Sequence, residues 1–79
     1  MQVNELNTEI TFDVPFDGGK VTCTVLSDAL RHLTKIQTSK LTRDQLVSAF
    51  LENKPLIRAA AIKELELGVD EVVLTASSF

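Results

Sequence analysis

The stretch TRDQLVSAFLENKPLIRAAAIKELELG, residues 42–68, decides the fold. It carries a dense set of large apolar side chains: Leu46, Val47, Phe50, Leu51, Leu56, Ile57, Ile62, Leu65 and Leu67. It also carries its own start and stop signals. Thr42 followed by Gln45 fits a capping box, in which each side chain satisfies the other residue's backbone N–H. Leu46, Val47, Phe50 and Leu51 form an apolar stripe at helical spacing, opposite Gln45, Ser48 and Glu52. Asn53-Lys54-Pro55 interrupts the pattern. Asparagine disfavours a helix interior, and proline suits the first turn of a new helix. Either a further helix starts at Pro55 or one long helix kinks there. Residues 55–67 are apolar around most of the helical circumference, broken only by Arg58, Lys63, Glu64 and Glu66. Gly68 suits the residue after a helix C-terminus.

The neighbouring segments read as thinner elements. Upstream, Ser27 suits an N-cap, and Ala29, Leu30, Leu33 and Ile36 share one helical face with Arg31 and Lys35 outward. Gln37 to Lys40 is a polar connector. Before that, Ile10, Phe12 and Val14 alternate with polar residues, as do Val21, Cys23 and Val25. A period of two is that of a half-buried strand. Pro15 is expected to end the first strand, and Asp17-Gly18-Gly19 to turn the chain through a loop of about five residues into an antiparallel hairpin. Downstream, residues 71–75 read as a third strand. Residues 1–8 are polar and aperiodic, a flexible N-terminal arm ahead of a single domain over residues 9–79.

The expected fold is a small two-layer α+β domain. A three-stranded, mostly antiparallel sheet, in the order β-β-α-α(-α)-β along the chain, is covered on one face by two or three helices. Phe12, Val21, Cys23, Val25, Leu30, Leu33, Leu46, Phe50, Ile57 and Leu74 are the expected core.

The chain has 79 residues, one cysteine and a net charge of −3, with a pI near 4.9. One cysteine excludes an intrachain disulfide, and no apolar run approaches the roughly 20 residues that span a bilayer. The expectation is a soluble cytoplasmic protein. The acidic balance argues against strong non-specific binding to nucleic acid. The charge is unevenly spread: −4 over residues 1–30, +4 over residues 31–58 and −3 over residues 59–79.

The order of these elements resembles a known family. The hairpin carries Gly18-x-x-Val21-x-Cys23, and Asp28-Ala29-Leu30 opens a helix. Phe50-x-x-Asn53-Lys54-x-x-Ile57, Gly68 and Val73-Leu74-Thr75 follow, close to Phe79. Over residues 10–79 this is similar to short proteins of gram-negative bacteria catalogued as domain of unknown function 1488. The family tends to have arginine where Lys54 stands and an acidic residue where Ser78 stands. The resemblance implies a small α+β domain and brings no activity with it.

Candidate chemistry is sparse. Cys23 alternates in phase with Val21 and Val25, as a buried hydrophobe would. Asp28 and His32 stand four apart on one helix and read as an exposed i,i+4 pair. One histidine and one cysteine leave no zinc set, and Asp17-Gly18-Gly19-Lys20 lacks the spacing of a phosphate loop. No catalytic residue, metal or cofactor is expected, and the protein is read as not an enzyme. Glu64 falls within an apolar arc of its helix. With Leu56, Ala60 and Leu67 it marks a candidate partner surface, because that helix offers more apolar circumference than one thin sheet covers. The partner is expected to be another protein or a second copy of the chain. Arg31, Lys35, Lys40 and Arg43 form a basic patch around one helix connection. It supports an alternative reading as a weak nucleic-acid or phosphate-binding accessory protein, although no aromatic residue lies among them to stack on bases.

Overall fold

The computed structural model describes residues 1–36 and 40–79. Among the described residues the elements run β1 (Gln2–Val3), β2 (Glu9–Phe16), β3 (Gly19–Leu26), α1 (Ser27–Thr34), α2 (Arg43–Glu52), α3 (Lys54–Glu66) and β4 (Val73–Leu74). A short 3-10 turn over Ala76–Ser78 follows. The strands form one sheet in the order β1-β2-β3-β4. The α+β class is as the pattern predicts. The sheet is mixed and has four strands rather than three: β1 and β3 pair antiparallel with β2, and β4 pairs parallel with β3. Of the polar connector from Gln37 to Lys40, residues 37–39 lie outside the described residues.

β2 and β3 form the central hairpin, with Phe12 opposite Cys23 and Val14 opposite Val21. The loop is shorter than expected. It is only Asp17-Gly18, with φ of 52° and 81°. Two consecutive positive φ values make the tight turn whose twist matches the flanking strands. Pro15 does not end β2; it pairs with Lys20. Next to a two-residue turn closed by Phe16 and Gly19, that pair is the non-hydrogen-bonded kind. The side where Pro15 lacks an N–H therefore faces away from β3, beyond the reach of β1, which pairs only with Ile10 and Thr11.

Residues 1–8 hold a strand that no hydrophobic period signals. Asn4 organises it. Its Oδ1 accepts from the backbone N–H of Thr8 (2.8 Å) and Glu9 (3.1 Å), while its Nδ2 donates to Thr8 Oγ1 (2.7 Å). The Thr8 carbonyl in turn accepts from Ser27 N–H at 2.9 Å. Ser27 is consequently the first helical residue of α1, and Leu26, not Ser27, holds the cap position.

The capping box at α2 forms as predicted: Gln45 N–H donates to Thr42 Oγ1 (3.2 Å) and Thr42 N–H to Gln45 Oε1 (2.9 Å). α2 and α3 are two helices joined at Asn53, whose Nδ2 donates to the Ala49 carbonyl at 2.9 Å. α3 ends at Gly68, with φ of 89°. Gly68 N–H donates to Leu65 O and Val69 N–H to Glu64 O, the paired bonds of a Schellman stop.

All the helices cover one face of the sheet. Ile10, Phe12, Val14, Cys23, Val25 and Leu74 meet Leu30, Leu46, Ala49, Phe50, Ile57, Ala61 and Leu65 in the core. Phe12 and Phe50 pack with ring centroids 5.3 Å apart. Val21 and Leu33, expected to be buried, are only half-buried. β4 reaches no further along β3 than Thr24, so the edge beside Val21 stays open. The other sheet face is largely polar, and Thr22 Oγ1 donates across the strands to Asp13 Oδ1 at 2.8 Å.

Candidate functional site: the outward face of α3

The burial pattern of α3 divides its apolar residues. Ile57, Ala61 and Leu65, spaced by four, are buried against the sheet. Leu56 and Leu67 are 50% and 74% exposed. Eleven residues separate them, almost a whole number of helical turns, so both project from one flank of the helix. Ala60 and the exposed Lys63 lie between them on that flank, with Ala59 beside it. Leu56, Ala59 and Ala60 form one wall of an open groove, completed by Leu33 on α1 and by Phe79. The groove is apolar along its floor and basic at its rim, where His32, Lys35 and Lys63 stand.

A second shallow groove runs along the other flank of α3, lined by Leu51, Pro55, Ala59 and Ile62 with Lys54 and Arg58. Leu51 was expected on the buried stripe of α2. It is 56% exposed because the buried arc of that helix is narrower, centred on Leu46, Ala49 and Phe50. No Asp or Glu side chain lines either groove. The exposed acids of this region, Glu66, Asp70 and Glu71, lie at and beyond the other end of α3.

Leu56, Ala60 and Leu67 thus occupy the surface assigned to them from the sequence. Glu64 turns away from it. It is half-buried, its Oε2 is buried with no hydrogen-bond partner, and its charge acts on Cys23. Cys23 is itself buried in the inner sheet face. Burial, then the charges of Asp13 and Glu64, push its thiol pKa above the usual value, which keeps it protonated and poorly nucleophilic at neutral pH.

Two of the four basic candidates share one depression. Arg31 and Lys35 line a shallow depression with Asp28, His32, Ile36 and Ala76; Lys40 and Arg43 do not line it. His32 is exposed, while Asp28 Oδ1 is buried and accepts no hydrogen bond. The i,i+4 spacing does not produce a bonded pair. Among the described residues no three His, Cys, Asp or Glu side chains gather as a metal site, and no helix is long and apolar enough to cross a membrane.

One further depression lies over the α2–α3 junction, where Lys54 and Arg58 stand beside Asp13 above Phe12, Phe50 and Ile57. Phe50, Lys54 and Ile57 are residues of the Phe-x-x-Asn-Lys-x-x-Ile run. Its floor is core, with Phe50 and Ile57 almost inaccessible, so its open part is the charged rim.

The exposed leucines of α3 were legible as surplus apolar circumference. Two contributors were not. Leu33 and Phe79 become groove residues only because α1 and the C-terminal turn pack together, and nothing in their local spacing signals it. No family model, curated protein or solved structure matches the chain.

Proposed function

We propose that the protein is a non-catalytic interaction module that docks a protein partner on the outward face of α3. The observation that carries this reading is the exposure of Leu56 and Leu67 on one flank of a helix whose opposite side is fully packed. Contiguous exposed apolar surface with a polar rim is characteristic of a partner site. Ala60 between the leucines, with Ala59 beside it, lets a second element approach closely. The buried, protonated Cys23 and the unbonded Asp28 and His32 support a non-catalytic role, since nucleophilic and general-base chemistry need paired, accessible groups. A single reduced cysteine in the core fits a cytoplasmic setting.

The test compares proteins that co-purify with the full chain, with a Leu56→Glu/Leu67→Glu variant and with a Thr22→Lys control. The control lies on the polar sheet face, where the new ammonium meets Asp13. A partner held by wild type and control and lost from the double variant is the expected result. Equal recovery by all three, with unchanged folding by circular dichroism, would refute the assignment.

A further inference from the structure

We propose that the occupant of the α3 face is a second copy of this chain, packed with its α3 antiparallel to the first about a two-fold axis near Ile62. This rests on the reading of that face as a docking surface and names what docks there. The argument comes from how charge runs along the helix. α3 carries basic side chains on both flanks: Lys54 and Arg58 of its first part beside one groove, and Lys63 of its last turn, with His32 and Lys35 at the end of α1, beside the other. An apolar face with a basic rim calls for an apolar element with acidic neighbours. The chain carries one. Leu67 and Val69 are exposed, and Glu66, Asp70 and Glu71 surround them.

A two-fold axis perpendicular to α3 reverses the second helix and brings this acidic end onto the basic end of the first. An isologous contact makes the match twice, once at each end. With Ile62 near the axis, Leu56 meets the second copy's Leu67, Arg58 meets its Glu66 and Lys54 meets its Asp70. The flanks agree as well. By helical geometry Leu56 and Leu67 share one flank of the face, and Arg58, Ile62 and Glu66 share the other. A perpendicular two-fold keeps each flank against its own counterpart. Ala59 and Ala60 near the middle permit the close helix approach that such a pair needs.

Sedimentation equilibrium from micromolar to hundreds of micromolar reads the mass of the full chain. A reversible dimer is expected, weakened about ten-fold or more by Arg58→Glu, which faces acid with acid, and strengthened again when Glu66→Arg is added. Both positions are exposed, and matching urea midpoints show that the fold is retained. Cysteine trapping then reads the register. Leu56→Cys mixed with Leu67→Cys should give a disulfide-linked dimer. Neither variant should link to its own kind, because like positions lie roughly 16 Å apart along the pair. A monomer mass at every concentration, or self-linking of Leu56→Cys as readily as mixed linking, would overturn the proposal. If the monomer still loses a co-purifying partner on Leu56→Glu/Leu67→Glu, the self-pairing fails and the docking surface stands. A dimer indifferent to that double variant would remove both readings.

Discussion

Ile57 and Leu56 are neighbours in sequence and opposites in environment, and replacing each by alanine measures that difference directly. Ile57 is fully buried and Leu56 half exposed. A buried Ile→Ala change loses the transfer energy of the removed methyl groups and leaves a cavity, about 2–5 kcal/mol in all. For Leu56, half of a full Leu burial of about 1.5–3 kcal/mol is at stake. Alanine keeps part of that contact and favours the helix, so the loss is under about 1 kcal/mol. A domain of 79 residues holds roughly 4–12 kcal/mol in total, so Ile57→Ala removes a large share of it. In urea, with a slope near 1 kcal/mol/M, the midpoint should fall by at least about 2 M for Ile57→Ala and by less than about 1 M for Leu56→Ala. Equal shifts, or a larger one for Leu56→Ala, would show that the α3 face assigned to solvent is packed, and the docking argument would lose its basis.

Three further outcomes follow from the local geometry. The thiol pKa of Cys23 is raised in the fold, so the native state holds its proton more tightly than the unfolded chain. Stability on this account is undiminished below the usual thiol pKa of about 8.5 and falls as pH rises above it. Cys23→Ala should flatten that alkaline loss in pH-resolved denaturation, and alkylation of native Cys23 at neutral pH should be slow. Gly68→Ala meets no steric neighbour but sits at φ of 89°. Backbone strain alone should cost roughly 1–2 kcal/mol, read as a lower thermal midpoint. Thr42→Ala removes the cap at α2 and should cost about 1 kcal/mol, whereas Thr42→Ser should keep most of the stability.

The parts legible in the sequence are those whose signal is local. Period two exposes β2 and β3 because one face of each is buried. The Thr42/Gln45 box and Gly68 mark helix ends because capping needs particular side chains or a positive φ at fixed offsets. β1 gives no period because two residues are too few to show one. It exists through the Asn4 side chain and through pairing with β2. The loop at Asp17-Gly18 reads as longer than it is because proline usually ends a strand. Here the missing N–H falls on an unpaired edge, which only the position of β1 decides. The site divides in the same way. Surplus apolar surface on α3 is a property of one helix and can be counted from spacing. The grooves beside it, and the inward turn of Glu64 toward Cys23, depend on how α1, α3 and the sheet meet.

The central claim is that the outward face of α3 is an interface between two copies of the chain, and photo-crosslinking from within that face tests it most directly. A photoreactive residue in place of Ala59, between the two grooves, should give a discrete adduct of twice the chain mass on irradiation. The same residue in place of Thr22, on the polar sheet face, should give none. Adducts from position 22 equal to those from position 59, or no adduct from position 59 in a folded protein, would contradict it.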